Sequence, residues 1–201
     1  MTENLEIEFK NMLTKEEYEL LFKEFAIDET QVFTQENHYF DTVDFSLKNL
    51  GSALRIRKKG NQFEMTLKQP VAIGLLETNQ LLNETEASQA IQYNRLPEGE
   101  IKEILAEKGI SYSSLSYFGS LVTNRVERSY KEGLLVLDHS LYLRKEDFEL
   151  EYEVTDFEIG KERFQHLLKQ FGIPERRTEN KIQRFYHEKY KQKADKDDNG
   201  R

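Results

Sequence analysis

Glu6-Ile7-Glu8-Phe9-Lys10 is the stretch on which the reading of this chain turns. As a strand it sets Glu6, Glu8 and Lys10 on one face, while Leu5, Ile7 and Phe9 cover the other. Other extended segments repeat the device. Leu54-Arg55-Ile56-Arg57 presents two guanidiniums on one face, and residues 63–68 present Glu64, Thr66 and Lys68 together. Glu149, Glu151 and Glu153 share a face opposite Phe148, Leu150, Tyr152 and Val154. A sandwich would bury apolar faces between its sheets. Strands with one apolar face and one dense face of mixed charge instead predict a sheet curled around a charged cavity, a site for a polyanion and its metal ions.

The bulk numbers are consistent with that picture. A chain of 201 residues is long enough for one domain with a sizeable core. Its charged fraction of 33% is high, yet 13 Phe and 10 Tyr argue against disorder. A formal charge of −8 speaks against a general nucleic-acid partner, because a phosphate backbone needs a basic surface. It leaves room for a basic pocket inside an acidic shell. With no cysteine there is no disulfide framework and no thiolate ligand, and His38, His139, His166 and His187 lack zinc-like spacing. No apolar run approaches the roughly 20 residues a bilayer requires, so no membrane partner is expected. The first residues also lack the basic and apolar regions of a signal peptide. A cytoplasmic protein is the expectation.

Working outward from Lys10, Thr14 caps an expected helix with Glu16 and Glu17 in its first turn and Tyr18, Leu21, Phe22 and Phe25 as its apolar stripe. Residues 31–41 are extended, 47–51 form a turn, and 54–58 and 62–69 form a hairpin through Lys59-Gly60-Asn61. A further strand spans 75–82. Helical patterning begins at Thr85, and Ile101, Ile104 and Leu105 form a second stripe beyond Pro97-Glu98-Gly99. Strands are expected near 112–118, 120–130, 134–143 and 147–155, with Lys131-Glu132-Gly133 as a tight turn. Phe164, Leu167, Leu168 and Phe171 mark a helix stopped by Gly172 and Pro174. A last segment spans 179–191. Residues 1–190 are therefore expected to form one domain, and residues 191–201, charged and without an apolar anchor, a disordered tail. Eight or nine strands with interspersed helices give an α+β class.

In order along the chain, these segments resemble the CYTH superfamily, the triphosphate tunnel metalloenzymes. Glu6–Lys10 resembles its ExExK signature, Tyr39-Phe40-Asp41-Thr42 its YFDT segment, Leu54–Arg57 its paired-arginine strand and Thr66-Leu67-Lys68 its TLK strand. Arg125, Asp138 and Glu149-Leu150-Glu151 fall where members carry an arginine, an aspartate and an ExE strand, and Asn180-Lys181 through Arg184 is similar to the terminal SKxxR element. The resemblance spans residues 5–185. It implies an eight-stranded antiparallel closed barrel with helices packed outside, and Mg²⁺- or Mn²⁺-dependent chemistry on a triphosphate-containing small molecule.

On that resemblance Lys10, Arg55, Arg57, Lys68, Arg125 and Lys181 are the expected phosphate-binding cations. Glu6, Glu8, Glu149, Glu151 and Asp138 are the expected metal ligands, with Asp138 equally suited to orienting Arg125. Tyr39 and Lys68 are the expected catalytic pair, although Tyr39 is equally a wall residue. Glu77, Glu64 and Arg184 are further candidates, and Glu153, near a strand end, is expected in solvent. The chain departs from the family around Leu76 and Asn79, where an arginine and a second acid are expected; Glu84 and Glu86 are the alternative acids. Hydrolysis of the terminal phosphoanhydride is the first functional reading. An adenylate cyclase and a noncatalytic polyphosphate- or nucleotide-binding module stay open, as does a homodimer formed through an exposed helix.

Overall fold

The structure, a computed structural model, describes the backbone of residues 2–198 and the side chains of residues 2–192. Strand β1 (Thr2–Leu13) leads into helix α1 (Lys15–Glu24). Strand β2 (Phe33–Asp41) and the short helix α2 (Ser46–Asn49) follow, then β3 (Ala53–Lys59), β4 (Gln62–Pro70) and β5 (Leu75–Leu82). Helices α3 (Glu84–Tyr93) and α4 (Glu100–Glu107) come next. The chain ends with β6 (Ser116–Tyr130), β7 (Gly133–Tyr142), β8 (Lys145–Val154), α5 (Phe157–Gln170) and α6 (Lys181–Asp198). The eight strands close a barrel in the order β1-β5-β4-β3-β2-β6-β7-β8, and every neighbouring pair is antiparallel. Closure leaves no sheet edge.

The barrel carries its apolar faces outward. Phe40, Leu54, Ile56, Met65, Leu67 and Leu82 meet Leu47 of α2, Ala87 and Ala90 of α3, and Ile101 and Leu105 of α4 in one core. On the opposite side Leu13, Val126, Leu135, Leu137, Leu150 and Tyr152 meet Leu21 of α1 and Phe164, Leu167 and Leu168 of α5. Each of these outer helices removes an apolar strand face from water, which is the term that holds the barrel together. The caps fix where the helices begin. Thr14 and Glu17 form a capping box for α1, Asn83 and Glu86 one for α3, and Asp156 accepts from the Ile159 amide at the start of α5. Glu84 and Glu86 therefore belong to a helix start and do not line the barrel.

Several boundaries differ from expectation. The break anticipated near residue 119 is a register shift within one continuous strand, β6, opposite Tyr39 and Phe40. Gly119 (φ +154°) absorbs it, and a Cβ there would lie 2.5 Å from the Phe185 ring. Residues 112–114 form a 3-10 turn instead of the start of a strand. The expected turn at 47–51 is α2, and the β7–β8 turn tightens to Leu143 and Arg144, both at positive φ. The tail expected to fray from Lys191 continues α6 as far as Asp198. Gln192 fastens its first part, donating to the Leu143 carbonyl at 2.6 Å and to Glu188 at 3.0 Å. Residues 199–201 lie outside the described residues. No described helix is long and apolar enough to cross a membrane.

Candidate active site

Because alternate residues of each strand point inward, the barrel encloses a cavity of about 260 Å³. Its lining includes seven cationic side chains, Lys10, Lys48, Arg55, Arg57, Lys68, Arg125 and Lys181. Seven acidic ones face the same space, Glu6, Glu8, Glu64, Glu77, Glu127, Glu151 and Glu153. Outward residues between them, such as Phe9, Ile56, Met65, Leu67, Val126 and Tyr152, belong to the apolar clusters packed with the outer helices, so the alternation in sequence sorts charge inward and hydrocarbon outward.

On the β6–β8 wall the charges are tightly matched. Arg125 meets Asp138 through two parallel bonds of 2.7 Å and reaches Glu151 at 2.7 Å. Lys181, at the first turn of α6, touches Asp138 at 2.8 Å, Glu149 at 2.7 Å and Glu151 at 2.5 Å. Arg184, one turn further along α6 and behind the cavity wall, bonds Asp147 at 2.9 Å and Glu149 at 2.7 Å. Asp138 and Glu149 are 0% and 1% exposed and sit behind the lining, not on it. Burial pulls the Lys181 ammonium down, but its three carboxylates outweigh that and hold it well above the usual lysine range. Burial likewise pushes Glu151 up, and Lys181, Arg125 and Lys10 reverse the effect and hold it well below the usual carboxylate range.

On the β1–β5–β4 wall, Lys68 bonds Glu6 at 2.5 Å and Glu77 at 2.6 Å, while Lys10 pairs with Glu8 and donates to Asn180 at 2.9 Å. Glu77 thus keeps the acid that the divergent strand was expected to retain. Leu75 takes the lining position beside it, while Asn79, also inward, is tied to Thr66 at 2.8 Å. Glu8 stands directly opposite Glu153 in the β1–β8 ladder, and like charges opposed in this way repel. Burial pushes Glu153 up to about 7; Arg125 opposes the shift, and Glu151, Glu6 and Glu8 add to it. Glu153 is therefore a tunnel residue, and the expectation of solvent exposure is corrected. Its place on the strand face was visible in the sequence; the depth of the barrel at that strand end was not.

The third wall is β2–β3, where Asn37, at 2.8 Å, is the one side-chain hydrogen-bond partner of Arg57 among the described residues. Arg55 lies 3.9 Å from Glu77, and among the described residues its Nε has no hydrogen-bond acceptor. Burial draws Arg57 down to about 9, with Arg55 and Arg125 adding to the effect. An arginine stays protonated in proteins, so Arg57 remains a buried positive charge beside two other guanidiniums. Glu64 lines the cavity opposite Arg57 in the β3–β4 ladder. Tyr39 is a buried wall residue packed with Leu121, Tyr142 and Phe185, and no hydrogen bond joins it to Lys68 among the described residues. Among those residues no three acidic or histidine side chains are gathered in metal-binding geometry. Sequence reading overlooked Gln35, Asn37, Lys48, Glu127, Asn180, Gln183 and Tyr186, all of which line the cavity. The inward parity of Gln35 and Asn37 with Tyr39 was their only sequence signal.

Comparison with known proteins agrees with this architecture. The chain is 48% identical over 191 residues, 95% of its length and 99% of the relative's, to YjbK of Bacillus subtilis (strain 168), which is named for a proposed triphosphatase activity. A crystal structure from Bacillus halodurans, described as a proposed adenylate cyclase, superposes with a TM-score of 0.90 at 47% identity, covering 92% of this chain and 100% of that one. HpAC1 from Hippeastrum, a proposed adenylyl cyclase described as revealing a dominant triphosphatase activity, shares the fold with a TM-score of 0.71 at 24% identity over 91% of this chain and 96% of its own. The CYTH domain model matches residues 4–186, nearly the whole barrel with its helices, and the chain belongs to the CYTH domain family.

Proposed function

We propose that this protein hydrolyses the terminal phosphoanhydride of a triphosphate-containing small molecule with Mg²⁺ or Mn²⁺ as cofactor. The observation that carries the proposal is the polarity of the tunnel. Arg55 and Arg57 hold poorly neutralised positive charge on one wall, while Glu8 and Glu153 crowd negative charge on another. A polyanion and a hard cation together satisfy both walls, and neither does so alone. The triphosphatase name of the 48% identical relative points the same way.

Arg55 and Arg57 would grip the phosphate chain, since the guanidinium fork matches paired phosphate oxygens. Glu8 and Glu153, opposed across the β1–β8 ladder, would hold the cation with Glu6 beside them. Because no three acids are gathered in metal-binding geometry among the described residues, they would draw together only as it binds. Asp138, Glu149 and Glu151 were expected among the ligands, but they are committed to Lys181, Arg125 and Arg184 and serve better as the frame that orients those cations. When bound, the metal supplies a Lewis acid that neutralises phosphoryl charge and lowers the pKa of water. Water would attack the terminal phosphorus as the bridging P–O bond breaks. One of its protons goes to solvent, orthophosphate forms, and the remaining diphosphate carries away the bridging oxygen. Lys68, held between Glu6 and Glu77, would stabilise that oxygen electrostatically, and Tyr39 would close the wall beside it.

The test is a panel of tripolyphosphate, thiamine triphosphate and ATP against Mg²⁺, Mn²⁺ and EDTA, with products identified directly. Phosphate release should require metal. Glu8→Gln should lower it by roughly 100-fold or more, since even loss of a partner one shell removed from a metal costs about 10–100-fold. Undiminished turnover by this variant at saturating metal would sink the assignment. Cyclisation is the second reading, because the 47% identical structure is described as a proposed adenylate cyclase. Cyclic AMP and diphosphate from ATP, in place of ADP and phosphate, would establish it.

A further inference from the structure

Resting on the triphosphate reading above, we infer that Lys48 is a substrate-contacting cation that extends the anion track beyond Arg55, so that the tunnel takes linear polyphosphates longer than three phosphates. The inference comes from sorting the tunnel's cations by their partners. Lys10, Lys68, Arg125 and Lys181 are each within 2.9 Å or less of a carboxylate. Arg57 and Arg55 are not, and neither is Lys48. Among the described residues Lys48 has no carboxylate within 4.0 Å and its ammonium has no hydrogen-bond acceptor, although it lines the same cavity.

These three residues line the same cavity. Arg57 and Arg55 stand two residues apart on one face of β3, roughly 6.6 Å along the strand, a separation suited to a triphosphate. Lys48 lies on α2, just before β3 begins at Ala53, and borders the cavity with Gly51, Ser52 and Tyr186. The lining cations without a close carboxylate therefore include Lys48, beyond the Ala53 end of β3 and next to Tyr186 of α6.

Lys48 is also held in readiness. Its ammonium lies 5.0 Å from the Tyr186 ring centroid, 5.7 Å from Tyr190 and 5.8 Å from Phe45. Rings at this range attract a cation without neutralising it as a carboxylate would. Phe45 reaches its place with φ +60°, a conformation unfavourable for a residue with a Cβ. The Lys48 amide is fixed in turn by Asp41 at 3.1 Å. A half-buried ammonium surrounded by three rings and opening on an anion tunnel is placed to meet the next phosphate along the chain.

Binding of tripolyphosphate and tetraphosphate, measured calorimetrically in EDTA with wild type, Lys48→Ala and Lys48→Arg, tests this without turnover. Lys48→Ala should weaken tetraphosphate binding by about tenfold or more, and tripolyphosphate by a smaller factor, as expected for loss of one charge-assisted contact. Lys48→Arg should recover most of the loss. Equal tetraphosphate affinity in wild type and Lys48→Ala would overturn the inference, and so would equal losses for both ligands. Failure of the hydrolysis proposal would show separately, as wild-type protein that binds these chains yet releases no phosphate when metal is added.

Discussion

Glu153 titrates in a range that experiment can reach. Burial and the facing carboxylates Glu151, Glu6 and Glu8, only partly offset by Arg125, raise it from 4.5 to about 7. A carboxyl raised on folding favours the native state while it stays protonated. That contribution is complete below pH 4.5 and is lost as pH rises through about 7. In EDTA, Glu153→Gln should therefore melt above the wild type at about pH 8, by the equivalent of a few kcal/mol at most, and match it below about pH 4.5. Parallel melting curves across that range would show that Glu153 is not crowded by its neighbours. At this scale the sequence was legible wherever strand parity alone decides, as for Glu6, Glu8, Arg55, Arg57 and Lys68. It was not legible for Lys48 or Tyr186, whose places depend on how α2 and α6 sit against the barrel.

Asp41 ties three elements together. Its carboxylate, 2% exposed at the end of β2, accepts from the amides of Thr42, Leu47 and Lys48 and from the Tyr186 hydroxyl at 2.7 Å. The first three bonds shape α2 and the fourth fastens α6 over the tunnel mouth. Asp41→Ala would leave buried amides without acceptors, at about 1–3 kcal/mol for each such group, so a loss of about 3 kcal/mol or more is expected. Tyr186→Phe removes only the α6 bond and should cost less, about 1.5–3 kcal/mol, with faster amide exchange confined to α6. Denaturant melts check both values, and a Tyr186→Phe loss as large as that of Asp41→Ala would show that α2 does not depend on this carboxylate. The outer helices were legible because Thr14 and Glu17 announce α1 and an apolar stripe announces α5. The continuity of β6 was hidden by Gly119, which reads as a break until Phe185 is seen occupying the space a side chain would need. The length of α6 was hidden for a similar reason, since Gln192 anchors it to a carbonyl 49 residues away.

For the molecule as a whole, the consequence of turning charge inward is that its centre must be nearly neutral before any ligand arrives. Asp138, Glu149 and Glu151 are 0%, 1% and 4% exposed, and they tolerate that burial because Arg125, Lys181 and Arg184 surround them. Two of those three cations come from α6, so the last helix completes the electrostatics of a barrel whose strands all precede it. Breaking a buried ion group by removing one partner leaves charge without compensation, a loss of about 3–5 kcal/mol. Lys181→Met should accordingly lower the melting temperature by roughly 6–20 °C for a chain of this size. The pH dependence separates this cause from lost packing. A lysine whose folded value is raised contributes fully below 10.5 and loses that contribution only as pH rises through the higher folded value. Its partner Glu151, held low, contributes above 4.5 and loses its contribution as pH falls through the folded value. The gap between wild type and Lys181→Met should thus stay wide near neutrality and narrow as pH falls below 4.5 through the lowered folded value of Glu151. Thermal melts in EDTA across that range decide it, because a gap that stays constant with pH would assign the helix a packing role alone.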